Sequence, residues 1–160
     1  MRRQTRSVAA AVVLLAAMAG CTTPADQTGH ATLIPSVATF TCCEAVDVDT
    51  VRHPGETFEI HWIMNLTPSP STVTSTQVVL DTTLSSGYRT VEQLKSAEIK
   101  APTALVRAAS VITSNTATVA PVSVIAIPRT ATPGLYNLTT SVNTDGAVSS
   151  GSSVIRIETP

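Results

Sequence analysis

The stretch Thr57-Phe58-Glu59-Ile60-His61-Trp62-Ile63-Met64 constrains the fold more than any other part of the chain. Its large apolar side chains recur at every second position. Phe58, Ile60, Trp62 and Met64 share one face, and Thr57, Glu59 and His61 share the other. Period two is the spacing of a strand with one face on a core and one in water. Pro54-Gly55 just ahead of it is turn punctuation.

The rhythm recurs along the chain. Thr76, Val78, Leu80, Thr82 and Leu84 make a second such face, set off from the first by Pro68-Ser69-Pro70-Ser71. Residues 104–113 and 116–127 are predicted as two strands around a tight Ser114-Asn115 turn. Tyr136, Leu138, Thr140 and Val142 line one face of a further strand. Ile155 and Ile157 line the last, opposite Arg156 and Glu158, with Asp145-Gly146 and Gly151 assigned to the connection between the two. An early strand is expected over residues 36–41. One segment departs from the rhythm. Thr90-Val91-Glu92-Gln93 has the spacing of a capping box, and Val91, Leu94 and Ala97 or Glu98 follow at helical spacing, so a helix of about two turns is predicted in a crossover between sheets. About seven strands and almost no helix imply an all-β fold, an antiparallel β-sandwich.

Residues 1–20 lie outside this pattern. Arg2, Arg3 and Arg6 precede an apolar run over residues 8–19, the layout of a secretory leader. The run is shorter than the roughly 20 residues that span a bilayer. Met18-Ala19-Gly20-Cys21 then resembles the lipobox of bacterial lipoproteins, with Met18 where the family usually has Leu. The resemblance implies cleavage before Cys21 and lipidation of its sulfur, often with acylation of the new amine. Two or more acyl chains make a firm anchor where one is marginal. Loss of the three leader arginines would take the formal charge from −1 to −4. That balance argues against nucleic-acid binding, which needs a basic patch. Residues 21–35, small, polar and bounded by proline, read as a flexible tether, and residues 36–160 as the folded domain.

Within the domain, Thr132-Pro133-Gly134-Leu135-Tyr136-Asn137-Leu138 resembles the P-G-x-Y-x-L entry to the penultimate strand of many bacterial immunoglobulin-like domains. The resemblance implies an immunoglobulin-like sandwich in which Tyr136 packs its ring and bonds its hydroxyl back to the backbone. Trp62 falls on the second predicted strand, and no cysteine pair spans two sheets, so the antibody arrangement is not implied. A sandwich by itself fixes no function.

Catalytic patterns are scarce. There is no G-x-S-x-G elbow, H-E-x-x-H pair or glycine-rich phosphate loop. Glu44, Asp47 and Asp49 cluster, but alternation with Val46 and Val48 places Asp47 and Asp49 on the solvent face of a strand. His30 falls in the tether, His53 in a turn before Pro54, and His61 on the outward face beside Glu59. With the cysteines, His53 and His61 are candidates for a copper or zinc site, though no pair has zinc-finger spacing. No cofactor is implied.

Cys42 and Cys43 are adjacent, and lipid would consume Cys21, the third cysteine. Neighbouring strand residues point to opposite faces, so both cannot face a core from a regular strand. Neighbouring Cα atoms lie about 3.8 Å apart, below the roughly 4.4–6.8 Å of ordinary disulfides. A vicinal disulfide, one buried and one exposed thiol, an intermolecular bond, and a metal ligand pair all remain open. The pair is expected at a bend ending the first strand, away from the main core. Two functional classes follow. The first is a lipid-anchored protein on the extracytoplasmic face of the cell membrane, non-enzymatic, serving binding, adhesion or envelope assembly with an envelope protein or ligand as partner. The second is a metal-handling or redox lipoprotein using Cys42 and Cys43.

Overall fold

A computed structural model of the chain describes residues 35–85, 87–98 and 104–160. The leader, Cys21, His30 and tether residues 21–34 lie outside the described residues. Among those described, nine strands and two short helices run in the order β1 Ser36–Thr41, α1 Ala45–Asp49, β2 Thr57–His61, β3 Ile63–Pro68, β4 Gln77–Ser85, α2 Val91–Glu98, β5 Ala104–Arg107, β6 Val111–Ser114, β7 Val122–Ala126, β8 Gly134–Thr144 and β9 Ala147–Ile157. Every ladder between these strands is antiparallel. The fold is therefore mostly β, with antiparallel sheets and two short helices.

The largest sheet is built on β4, β8 and β9. Val78, Leu80, Thr82 and Leu84 of β4 are buried, as are Tyr136, Leu138 and Thr140 of β8 and Ile155 and Ile157 of β9. The register sets Leu84 opposite Leu138 and Tyr136 opposite Ile155. Directly opposed residues share a face, so alternation in each strand becomes one continuous apolar surface. Full burial of a side chain such as Leu138 stabilises the fold by about 1.5–3 kcal/mol. β8 turns into β9 through Asp145 and Gly146, with φ of 52° and 86°. Two left-handed residues in a two-residue loop match the right-handed twist of the strands they join. Asn143 Oδ1 accepts the Gly146 N–H at 3.0 Å.

Several expectations need correction. Gly151 is not in a connection, because β9 already begins at Ala147 and Gly151 pairs with Thr140. The predicted strand over 104–113 is two strands on the same edge of β4, β5 opposite Thr83–Ser85 and β6 opposite Gln77–Leu80. The chain steps between them at residues 108–110. The strand over 116–127 shortens to Val122–Ala126, since Thr116 and Ala117 are still rounding the turn from β6 and Pro121 has no N–H to give a ladder. Nine strands replace about seven because the run over 104–113 and the run over 57–64 each divide in two. α2 has the expected cap: the Gln93 N–H donates to Thr90 Oγ1 at 3.2 Å. Gln93 Oε1 reaches back to the Arg89 N–H at 3.0 Å, and Leu94 is the buried anchor. However, α2 joins β4 to β5, which are neighbours in one sheet, so it is an excursion and not a crossover.

The opening run over 57–64 alternates as expected, with Phe58, Ile60 and Trp62 buried. It is two strands, not one. β2 pairs with β7, and β3 pairs with β1. Trp62 is the joint: its N–H donates to Pro121 C=O at 3.1 Å, the last step of the β2–β7 ladder. The core divides at the same place. One cluster gathers Phe58, Ile60, Leu84, Ile125, Tyr136, Leu138, Ile155 and Ile157, and the other Ala38, Phe40, Trp62, Val78 and Leu80. Trp62 and Tyr136 are both buried, but in different clusters.

Candidate functional site

The backbone at His61 explains the most irregular part of the molecule. Alternate residues of a strand turn their N–H and C=O to opposite edges. Trp62 faces β7, so His61 faces the other edge. On that edge β1 has already ended, at the pair Thr41–Ile63. Left alone, the His61 N–H would be a half-buried donor without a strand partner, which costs about 1–3 kcal/mol. The segment from Cys42 to Asp49 supplies the partners. Glu44 N–H donates to His61 C=O at 3.3 Å, and Asp47 Oδ2 accepts the His61 N–H at 2.6 Å. Asp47 Oδ1 also accepts from the His61 ring at Nδ1, at 3.0 Å. One carboxylate thus stands in for a missing strand.

This overturns the expected strand over this segment and the expected exposure of Asp47, though Asp49 is exposed as expected. Residues 45–49 form a single turn of α-helix, and Asp47 is 3% exposed while Val46 is 62% exposed. Alternating Val and Asp over so short a run fits a strand or a turn of helix equally well. Thr50 Oγ1 closes the turn by donating to Val46 C=O at 2.6 Å. Asp49 and Glu44 are exposed. Arg52 ties the turn down. Its Nη2 donates to Asp47 C=O at 3.2 Å, its Nη1 meets Glu56 Oε1 at 3.1 Å, and its guanidinium lies 4.4 Å over the Phe58 ring. That combination of fork and face suits guanidinium and not a simple ammonium.

The imidazole of His61 is 42% exposed. The hydrogen bond to Asp47 raises its pKa above the ordinary value, the Asp47, Glu44 and Glu59 charges add to this, and partial desolvation opposes it. Its Nε2 faces a carboxylate, Glu59 Oε2 at 3.5 Å. An imidazole held between two carboxylates is suited to keeping a positive charge more than to activating a nucleophile. Val46, Asp47, Thr50, Arg52, Thr57, Phe58, Glu59, His61 and Val124 together line an open depression of about 520 Å³.

Cys42 and Cys43 follow β1 directly and precede α1, and the structure joins them to each other with Cα atoms 3.1 Å apart. They end the first strand at a bend. They do not lie away from the core: both are half-buried against the first cluster, and Cys42 also touches the second. The reason is the seam. β1 must stop where its neighbour changes partner, and the gap between the two clusters is filled by the next side chains in the chain. A second depression, of about 190 Å³, is lined by Cys42, Phe40, Trp62 and Thr140 together with Ser149, Ser150 and Gly151. Trp62 Nε1–H donates to Ser123 Oγ at 2.9 Å, which keeps the buried indole satisfied.

The other metal candidate, His53, sits against the opposite end of the chain, its Nδ1 3.0 Å from Glu158 C=O. Among the described residues no three of His, Cys, Asp and Glu are grouped so as to hold a metal ion. Asp47, Arg52 and Trp62 are the site residues that sequence reasoning missed as partners. The spacing of Arg52 and Glu56 at i, i+4 was a usable signal for one pair. Nothing local marked Asp47 for His61 or Trp62 for Ser123. Comparison of the chain with protein-family models, curated proteins and solved structures finds no match.

Proposed function

We propose that this chain is a lipid-anchored extracytoplasmic protein whose immunoglobulin-like β-sandwich serves a non-enzymatic binding or envelope-assembly role. The anchor rests on Met18-Ala19-Gly20-Cys21 behind its basic and apolar leader. The sandwich reading is supported by Tyr136, whose hydroxyl donates to Thr132 C=O at 2.6 Å in the manner of a tyrosine corner. The observation that carries the binding role is the depression around His61. It combines exposed Val46 and Val124 with a charged rim of Glu59 and His61, on a frame braced by Asp47 and Arg52. Exposed apolar side chains gathered in one depression and rimmed by polar ones suit a recognition surface.

The anchor is tested by Cys21→Ala, which should abolish lipid labelling and either release the protein from membranes or leave uncleaved precursor. A variant that fractionates and migrates like the parent refutes the anchor. The binding role is tested by crosslinking the anchored protein in envelopes. Val46→Lys with Val124→Lys should remove a crosslinked species that the parent forms, while circular dichroism stays unchanged. A crosslinking pattern identical in both sinks the proposed surface.

A second reading, a redox lipoprotein, is favoured by one specific observation: the Cys42–Cys43 pair packs between two core clusters beside Trp62. Free-thiol counting on native and unfolded protein separates the two. Two free thiols in protein isolated under oxidising conditions remove the redox reading.

A further inference from the structure

β9 ends the large sheet. It pairs with β8 along one edge, and the sheet order β5-β4-β8-β9 leaves its other edge without a partner strand among the described residues over most of its length. Exposed edges are templates for further pairing, and proteins usually blunt them with charge, proline, bulges or shortness. β5, at the other end, is blunted: it is short, carries Arg107 and has a register shift opposite Leu84 and Ser85. β9 packs against α1, yet residues 147–152 are exposed, and its edge carries none of these devices from Ala147 to Ile155. That run has no charge, no proline and no break in register, and Val148 and Val154 are 65% and 47% exposed.

The edge is also competent to pair. At its far end Arg52 already adds to it: Arg52 N–H donates to Arg156 C=O at 2.9 Å, and Glu158 N–H donates to Arg52 C=O at 2.9 Å. Those bonds show that the even-numbered residues turn their backbone groups outward. By alternation Val148, Ser150, Ser152 and Val154 do the same.

The sequence of this edge reads the same in both directions. Val148-Ser149-Ser150-Gly151-Ser152-Ser153-Val154 is a palindrome about Gly151. Two antiparallel copies related by a twofold axis at Gly151 bring Val148 opposite Val154 and Ser150 opposite Ser152 of the second copy. Each opposed pair is then identical in kind, as an isologous interface requires. Parity is satisfied as well. The even residues, whose backbone groups are unpaired, fall opposite one another, and make about eight inter-chain hydrogen bonds in the narrow-pair pattern. The two exposed valines meet on one face and cover each other.

We propose that β9 is a self-association edge, and that two copies of this chain pair antiparallel through residues 148–154 with Gly151 on the twofold axis. The register makes a sharp test possible in the full-length chain. Opposed residues of the wide pair at Gly151 approach with Cα atoms about 4.5 Å apart. A Cβ at Gly151 meets only Thr140 Oγ1, at 3.9 Å, so Gly151→Cys is accommodated. Under mild oxidation Gly151→Cys should give a disulfide-linked dimer that the parent does not. Ser149→Cys should not, because its counterpart in the second copy faces Ser153. Ser152→Pro removes a donor that points away from β8, so the sheet should remain folded while the dimer is lost in sedimentation. Three results overturn the proposal: a parent that sediments as a monomer throughout the micromolar range, crosslinking through Ser149→Cys in place of Gly151→Cys, or a dimer that survives Ser152→Pro with circular dichroism unchanged. Capture of another protein's strand by a monomeric parent likewise refutes self-pairing.

Discussion

The β4–β8–β9 sheet and the corner from Cys42 to Trp62 are made by different rules. In the sheet each residue's environment follows from its parity in the strand, so that Tyr136, Leu138, Thr140 and Ile155 are buried because of where they fall in the alternation. In the corner each residue's environment follows from what it happens to meet. Asp47 is buried because His61 lacks a strand partner, and Trp62 because two ladders change over beside it. The lesson is that a regular sheet distributes its stability over many similar contacts, whereas a seam concentrates it in a few unlike ones.

The largest expected effect tests that contrast at the seam. Trp62→Ala should destabilise the fold by about 3–5 kcal/mol, since it removes the largest side chain of the second cluster and leaves Ser123 without its donor. Denaturant midpoints measure it, and a loss no larger than that of an exposed valine such as Val119 would erase the distinction. Next comes Asp47→Ala, expected to cost about 1–3 kcal/mol by stranding the His61 N–H. Asp47→Asn keeps an acceptor oxygen and should recover part of it. Equal losses in the two variants would mean that charge, not the backbone bond, is what the corner needs.

How much of this was readable differs between the two regions for the same physical reason. β1, the buried faces of β4, β8 and β9, the Asp145-Gly146 turn and the capped α2 were legible, because period and turn chemistry are local properties. The break at Trp62 was not, because both halves of the run keep one alternation and only their partners differ. Nor was the burial of Asp47, which depends on a residue 14 positions away. Cys42 and Cys43 were legible as a bend but not as packing material, since their contacts come from both clusters at once.

Smaller effects refine the comparison. Replacing Cys42 and Cys43 together by serine should cost about 1–2 kcal/mol. A bond between neighbours encloses no chain, so the loop-closure contribution is negligible and only half-buried packing is lost. Cooperative unfolding with matched midpoints would assign the pair no packing role. The smallest effect is a pH dependence. His61 has a raised pKa in the folded chain, chiefly through Asp47. Its contribution is therefore fully present below the unfolded value of about 6.5 and is lost as the pH rises through the folded value. The stability gap between parent and His61→Asn should narrow over that window, and NMR titration of the ring should give a midpoint above the ordinary one. A gap that widens with rising pH reverses the sign and removes the ion pair.

The turn at Asp145 and Gly146 also bears on the order in which the chain assembles. β8 and β9 close from Thr144–Ala147 outward, so each new pair adds only the next residues along the chain. The seam must bring together partners such as Trp62 and Ser123, 61 positions apart. Closing a long loop costs entropy before its contacts repay it, and distant pairing is slow. The hairpin is therefore expected to be in place in the folding transition state, and the corner to join late. Substitutions along the hairpin should slow folding, and those at the seam should mainly hasten unfolding. Chevron plots for Leu138→Ala and Trp62→Ala measure that partition, and a seam variant that slows folding more than the hairpin variant contradicts it.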